Sequence, residues 1–276
     1  MERAEISLKT WKAIGKALCY FVLYFGMQIL LGIGIGLVIG IQSAITIMSG
    51  GEMPSMQEMT QLITENTSLI AMLSNLLTIV FLLIFFKVRK QSVCQAVGLH
   101  KLPPVSLIPV VVLGISTSLL VGCVLSLLPE SLLEAYAESS AWLQEGSLVI
   151  ALISTVIVAP ITEELVFRGL IFTRLRQGMP QVLALLITCV VFGLLHGQPI
   201  WMAYAFLLGL LLNWVYIRYR SLLANIVLHV TFNLVGIWGL PLNGAALWIV
   251  LAVSLLLVAA MIVVIAQKQK TAAPLA

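Results

Sequence analysis

Apolar runs long enough to cross a lipid bilayer recur along the whole sequence, and they restrict what this chain can fold into more than any other feature. A membrane-spanning helix needs about 20 predominantly apolar residues. We place eight such spans, at residues 18–47, 68–86, 105–128, 147–170, 180–197, 200–217, 221–239 and 245–266. Only 9% of the 276 residues are charged, whereas a soluble domain carries about 25%. The sequence therefore predicts an all-α, polytopic membrane bundle of about eight helices, the first of which is long enough to tilt or to project.

The basic residues gather at alternate ends of the predicted spans. They form five clusters, at residues 3–16, 87–101, 168–176, 218–220 and 268–270. Threading eight spans in order places all 15 lysines and arginines on one face or at its edge, and the acidic loops at residues 52–65 and 130–145 on the other. Because Lys and Arg stay cytoplasmic, both termini are expected in the cytoplasm. Short loops and the lack of an organellar signal favour a bacterial plasma membrane.

Other features of the sequence narrow the range of functions. The net charge of +4 follows from membrane topology, and no basic patch with interleaved aromatic residues or nucleotide fingerprint is present, so neither nucleic acid nor nucleotide is an expected partner. The four cysteines lack paired spacing and are expected to fill space in or beside the helices. The small-xxx-small spacing of glycines in the first span favours close helix packing, at Gly32, Gly34, Gly36 and Gly40.

Ionisable side chains inside apolar helices are the most informative residues, because placing one in a bilayer costs up to a few kcal/mol. Span four carries Glu163, Glu164 and Arg168. Glu164 and Arg168 are four residues apart and can form an ion pair along one helix face, whereas Glu163 is rotated by about 100° and lacks that partner. This pattern favours a structural role for Glu164 and a chemical role for Glu163. The simpler alternative is a polar cluster that ends the helix among lipid head groups.

Further polar residues occur in the following spans. His196 lies near the end of span five, and His229 and Asn233 are four residues apart on one face of span seven, so both can address one point. The alternatives are that a backbone carbonyl or the membrane interface satisfies His196, and that His229 and Asn233 form a structural hydrogen bond between helices.

Helix register can bring these groups together. If spans four and five form an antiparallel hairpin that turns at residues 178–180, Glu163 and His196 lie at the same depth, roughly 25 Å from its tip. His229 is only about 13 Å from its own turn near Ser221. The depths agree if the first hairpin projects roughly two helical turns further into the cytosol. The polar groups would then converge in a pocket below the cytoplasmic surface.

Three motifs follow one another on consecutive apolar segments, namely Glu163-Glu164-x-x-x-Arg168, Phe192-x-x-x-His196 and His229-x-x-x-Asn233. With these motifs in this order, residues 145–240 resemble the CAAX-protease and bacteriocin-processing family, also called CPBP or Abi. This family includes the Ras-converting CAAX endopeptidases. The resemblance divides the chain into N-terminal spans and loops at 1–140, a catalytic core at 141–242, and a last span with a cytoplasmic tail at 243–276.

The resemblance implies an eight-helix intramembrane endopeptidase with a cavity open to the cytosol. It implies that Glu163 is the catalytic glutamate, that His196 helps it to orient and deprotonate a water, and that His229 and Asn233 stabilise the oxyanion. Three further motif residues would support the site, namely Glu164, Arg168 and Phe192. This chemistry is feasible, because a desolvated glutamate can act as base and acid, and amide and imidazole N–H groups are suitable oxyanion donors.

A metal cofactor is the main alternative within the same site. Glu163, His196 and His229 would also make a three-ligand zinc site with a water in the fourth position, and members of the family are often labelled metalloproteases. None of these residues forms the His-Glu-x-x-His pair that is typical of zinc proteases. Glutamate chemistry without a metal is therefore favoured, and zinc or another divalent metal is the alternative.

The expected partners are membrane lipids and a membrane-associated or lipidated peptide or protein substrate. Relatives are linked by resemblance to CAAX processing, bacteriocin maturation and self-immunity. A non-catalytic membrane binding or immunity protein is the first alternative, because the same helices could hold the polar residues as structural groups. An ion-coupled transporter with a proton relay is the second, although the sequence lacks a clear internal repeat.

Overall fold

A computed structural model describes residues 2–143, 145–238 and 242–268. These residues form an all-α structure without strands, which confirms the predicted fold class. Its helices are α1 (Glu2–Met48), α2 (Met56–Val88), α3 (Val93–Val97), α4 (Pro104–Leu125), α5 (Glu130–Ser140), α6 (Leu148–Leu175), α7 (Gln181–Leu194), α8 (Pro199–Tyr219), α9 (Leu222–Gly236) and α10 (Gly244–Lys268).

Each of the eight predicted spans corresponds to an apolar helix. Among the described residues, six helices are long and apolar enough to cross a membrane, namely α1, α2, α4, α6, α8 and α10. Helices α7 and α9 are apolar but have only 14 and 15 residues, fewer than the about 20 that one crossing needs. The chain is therefore an integral, multi-pass membrane protein. The short helices α3 and α5 were not predicted, because neither contains a long apolar run.

Helix α1 is much longer than one membrane crossing. Its 47 residues extend about 70 Å at 1.5 Å per residue, more than twice the hydrocarbon thickness of about 30 Å. A Cβ atom added to its glycines would meet no other atom of the described chain within 4 Å, at Gly32, Gly34, Gly36 and Gly40. The prediction that these glycines allow close packing is therefore wrong for contacts among the described residues, since no described neighbouring helix approaches them.

Helix α6 is the centre of the bundle. It contacts α1, α2, α3, α7 and α9. Among the other helices, α4 packs against α9 and α10, and α7 packs against α8. The second half of α6 is almost fully buried, and its aromatic side chains Phe167 and Phe172 belong to the larger hydrophobic core. Because α6 carries both glutamates and touches most of the other helices, it determines where the polar residues meet.

The hairpin formed by α6 and α7 is held against α8 and α1, and its projection by two helical turns stays a prediction. Near its base, the Thr173 hydroxyl lies 3.3 Å from the hydroxyl of Tyr216, in the last turn of α8. Its tip continues to Gly178, whose carbonyl accepts a hydrogen bond of 2.5 Å from the Thr10 hydroxyl in α1. A Cβ atom at Gly178 would lie 2.6 Å from the Cβ of Ala13. Glycine is therefore needed for this close contact.

Two stretches of α6 are π-helical, at Ile153–Val158 and Glu164–Phe172. In the first stretch, the backbone N–H of Ala159 donates to the carbonyl of Ser154, five residues earlier. The next residue is Pro160, which has no N–H to donate. The carbonyl of Thr155 therefore lacks its usual donor from the helix and is available to a side chain. Such π-helical turns are frequent at functional sites.

Candidate functional site

A fully buried carboxylate forms the base of the candidate site. Glu164 has no exposed surface, and its Oε1 atom accepts a hydrogen bond of 2.9 Å from the Arg168 guanidinium, which is also fully buried. The Asn225 amide donates to Oε2 over 3.1 Å, and His229 Nδ1 lies 2.8 Å from Oε1. Burying a charge is costly unless it is paired and hydrogen-bonded, and this carboxylate has three such partners.

His229 lies between the two adjacent glutamates. Its Nδ1 atom faces Glu164, and its Nε2 atom lies 3.7 Å from Oε2 of Glu163. An ionised carboxylate only accepts hydrogen bonds, so Nδ1 carries the proton in the contact with Glu164. Nε2 is then an acceptor in the neutral ring and a donor only when both ring nitrogens are protonated. Glu164 thus determines the orientation and the tautomer of this histidine.

Glu163 differs from Glu164 in its accessibility. Its side chain is 17% exposed, whereas that of Glu164 is 0% exposed. The separation of 3.7 Å from His229 Nε2 is longer than a hydrogen bond, so both groups keep polar atoms that a third molecule could contact. The hydroxyls of Tyr24 and Tyr204 lie within electrostatic range of the Glu163 charge. The accessible glutamate is therefore the one expected to do chemistry, and α1 contributes to its surroundings.

The Phe192 ring connects the two histidines. His196 packs edge-on against it with ring centroids 4.9 Å apart, and His229 does so at 6.1 Å. The Arg168 guanidinium lies 4.3 Å from the centroid of the same ring. His196 lies in the turn after α7, where its Nδ1 atom is 2.8 Å from the Phe192 carbonyl. His196 and His229 therefore share Phe192 as a neighbour, whereas no hydrogen bond or ion pair among the described residues joins His196 to Glu163 or Glu164. The second ring nitrogen of His196 is left for other partners.

Asn233 lies one turn beyond His229 on α9. Its side-chain amide donates a hydrogen bond of 2.8 Å to the Thr155 carbonyl of α6, the carbonyl that the π-helical turn and Pro160 leave without a helical donor. The Asn233 side chain is thereby held across the α6–α9 contact. Since an amide nitrogen carries two protons, one N–H is left for another acceptor.

Two partners of the site were missed from the sequence. Asn225 precedes His229 by four residues, so residues 225, 229 and 233 form one polar stripe along an otherwise apolar helix, which is a signal that could have revealed it. Thr155 contributes only a backbone carbonyl, and its availability depends on the π-helical register of α6. No side-chain pattern could have indicated that contact.

The positions of Glu163, His196 and His229 can be compared with those that a zinc ion requires. Zinc ligands lie about 2.0–2.2 Å from one metal ion and must converge on a single point. Among the residues that the structure describes, no three His, Cys, Asp or Glu side chains are arranged to hold a metal ion. Glu163, His196 and His229 thus do not converge on one point in this arrangement of the side chains, and the choice between glutamate and metal chemistry stays a prediction.

Comparison with known proteins identifies one matching family. Residues 145–235 match the model of the family described as type II CAAX prenyl endopeptidase Rce1-like. No curated protein and no solved structure matches the chain significantly. The matched segment contains all three motifs and lies within the predicted core at 141–242. The match confirms the resemblance of this segment to the CAAX proteases.

Proposed function

From the family match over residues 145–235 and the pairing of one accessible with one buried glutamate, we propose that the chain is an intramembrane endopeptidase that uses glutamate-activated water. The observation that carries the proposal is the position of His229. One of its ring nitrogens is fixed by the fully buried Glu164, and the other lies 3.7 Å from the partly exposed Glu163. A purely structural polar cluster has no need for the second, accessible carboxylate.

The proposed reaction begins when Glu163 removes a proton from a water molecule. The water oxygen attacks the carbonyl carbon of the scissile peptide bond, and His196 helps to orient the water. The oxygen of the tetrahedral intermediate becomes negatively charged and is stabilised by the free N–H of Asn233 and, with both ring nitrogens of His229 protonated, by the Nε2–H of this histidine. When the carbon–nitrogen bond breaks, Glu163 returns the proton to the leaving amine. A preorganised donor of this kind typically contributes a factor of about 10²–10³ to the rate.

The supporting residues keep these groups in position. Arg168 and Asn225 hold the Glu164 carboxylate, and Glu164 in turn holds Nδ1 of His229. The Phe192 ring packs against both histidines. We propose no metal in this mechanism, because a glutamate, two imidazoles and an amide supply the base, the acid and the oxyanion donors that peptide hydrolysis requires.

The proposed substrates are membrane-associated or lipidated peptides and proteins. Glu163 lies in α6, which is long and apolar enough to span the bilayer, and His229 and Asn233 lie in the shorter apolar helix α9 that packs against it. We therefore propose that a substrate reaches these groups from within or beside the membrane. We further propose that the basic ends of the helices face the cytoplasm of a bacterial plasma membrane, in line with the distribution of Lys and Arg.

The experiment that tests this function is peptide cleavage by the purified protein in detergent. A quenched CAAX-type lipopeptide and a panel of membrane-segment peptides would be incubated with the protein, with and without phenanthroline, and products identified by mass spectrometry. Cleavage that persists with the chelator supports glutamate chemistry. Loss of cleavage with the chelator and its return on addition of zinc would refute the metal-independent mechanism. A folded protein that cleaves none of the peptides but binds one of them would favour the non-catalytic alternative.

A further inference from the structure

A second group of polar side chains, away from Glu163, surrounds a cleft at the C-terminal ends of α6 and α8. The cleft has a volume of about 450 Å³ and lies where the end of α6, the start of α7 and the end of α8 meet the segment that contains α3. We call it the basic cleft, after its two arginines. The polar side chains that line it are Gln95, His100, Thr173, Arg176, Gln181, Tyr216 and Arg220. All of them can donate hydrogen bonds, and none of the described lining residues is Asp or Glu.

The wall of the basic cleft is fixed by hydrogen bonds between distant segments. The Tyr216 hydroxyl donates to the Val97 carbonyl over 3.1 Å, and the Leu222 backbone N–H donates to the Gly98 carbonyl over 2.9 Å. Gly98 has a φ of +67°, and a Cβ atom there would lie 2.7 Å from the Tyr216 hydroxyl oxygen. The α3 segment is therefore held firmly against the end of α8.

The turn between α8 and α9 presents two of the lining residues together. The Ser221 hydroxyl donates to the His100 carbonyl over 2.6 Å and accepts from the His100 backbone N–H over 3.3 Å. The preceding residue, Arg220, has a φ of 49°, in the left-handed region that glycine adopts readily and that is costly for a residue with a side chain. Arg220 is the left-handed C-cap of α8, and it lines the basic cleft.

The two arginines of the basic cleft are available to a ligand. Among the described residues, neither Arg176 nor Arg220 forms an ion pair. Both side chains are exposed, and the Arg176 guanidinium lies 5.8 Å from the centroid of the Phe172 ring, which helps to orient it. An anion bound between them would receive charge-assisted hydrogen bonds from two sides, together with bonds from the neighbouring side-chain amides.

The position of the basic cleft at the ends of spanning helices favours a lipid phosphate as the anion. It lies at the end of the membrane-spanning helices, beside the last residues of α8 and close to the start of α4, where Tyr219 donates to the Ser106 carbonyl over 2.9 Å. Lipid phosphates occupy this level of a bilayer. We propose that the basic cleft binds the phosphate group of an anionic membrane lipid. This site is separate from Glu163 and does not depend on the proposed peptidase function.

A lipid-binding experiment with matched variants tests the proposal. The purified protein would be titrated in detergent with phosphatidylglycerol or phosphatidylcholine of the same acyl chains, and binding followed by native mass spectrometry and by the thermal-unfolding midpoint. The test variant is Arg176→Gln with Arg220→Gly, which removes two charges and relieves the backbone strain. The matched control is Arg89→Gln with Lys90→Gly. This pair resembles the cleft pair in two respects. The Arg89 guanidinium lies 4.7 Å from the centroid of the Phe85 ring, and Lys90 has a left-handed φ of 54°.

The proposal predicts that wild type and the control bind phosphatidylglycerol at least about tenfold more tightly than phosphatidylcholine, and that the cleft variant loses this preference. The cleft variant should remain folded, because glycine relieves the strain at position 220. An unchanged preference in the cleft variant, or an equal loss in the control, would overturn the proposal. A further arm compares sodium phosphate with sodium chloride at equal ionic strength. Stabilisation by phosphate without any further effect of the anionic lipid would identify a soluble phosphate as the ligand instead.

Discussion

Replacing Glu164 by Gln perturbs both the stability and the chemistry of the site. The carboxylate is fully buried and accepts bonds of 2.9 Å from Arg168, 3.1 Å from Asn225 and 2.8 Å from His229. Gln has nearly the same shape, but it leaves the buried guanidinium without a counter-charge. Removing one partner of a buried ion pair costs about 3–5 kcal/mol. We therefore expect the free energy of unfolding of Glu164→Gln to fall by about this amount.

A second substitution separates stability from chemistry. In Glu164→Gln with Arg168→Met, the uncompensated charge is gone, and apolar replacement of a buried ion pair is often neutral or stabilising. Most of the lost stability should return. His229 still lacks the carboxylate that fixes its tautomer, and loss of such a carboxylate beside a catalytic histidine can cost up to about 10⁴-fold in rate. We expect the double variant to be stable and at least about 10²-fold less active than wild type.

The two properties are measured separately. Thermal unfolding in detergent reports stability, and cleavage of the best peptide substrate at matched amounts of folded protein reports activity. Arg168→Met alone serves as a control, because it leaves Glu164 able to contact His229. If the double variant regained both stability and full activity, Glu164 would have only a structural role, and the reasoning that it positions His229 would be refuted.

Three further predictions concern single residues. Asn233→Ala removes an oxyanion donor and should lower kcat by about 10²–10³-fold with little change in KM, as measured by steady-state cleavage; an unchanged kcat would exclude this role. Pro160→Ala supplies a backbone N–H that competes with the Asn233 amide for the Thr155 carbonyl. The variant should therefore have a lower kcat than wild type but no lower thermal-unfolding midpoint. Equal kcat values would contradict the account of the π-helical turn. Gly98→Ala places a Cβ atom 2.7 Å from the Tyr216 hydroxyl in a left-handed conformation, and should lower the free energy of unfolding by about 1–2 kcal/mol. A midpoint equal to wild type would show that the α3 segment moves to accept it.

The membrane helices could be predicted because each apolar run is long and carries its own signal. The helix ends were less predictable. The predicted spans at 180–197 and 221–239 run past the helix ends at Leu194 and Gly236. Beyond the first of these ends, Gly197 has a φ of +71° and the next helix begins at Pro199. Helix α5 has no buried residue, and its short amphipathic sequence gives no pattern that distinguishes it from an acidic loop.

The candidate site was predicted from local spacing to a large extent. The Glu164–Arg168 pair follows from positions four residues apart on a helix, and the structure contains this ion pair. The meeting of Glu163 with His229 was predicted from an argument about hairpin lengths. The structure places their side chains 3.7 Å apart, and the hairpin projection used in that argument is still a prediction. The partner of Asn233 could not be predicted, because it depends on which backbone carbonyl lacks a donor within α6. The catalytic roles of these residues are still predictions.

Cleavage by wild type and by Glu163→Gln, purified in parallel, tests the central claim most directly. Gln keeps the shape of the side chain but cannot take a proton from water at neutral pH, and the substitution leaves the contacts of Glu164 in place. The account predicts an equal thermal-unfolding midpoint and a rate of peptide cleavage that falls by at least about 10³-fold. A folded Glu163→Gln variant that cleaves the peptide as fast as wild type would contradict the assignment of Glu163 as the catalytic base.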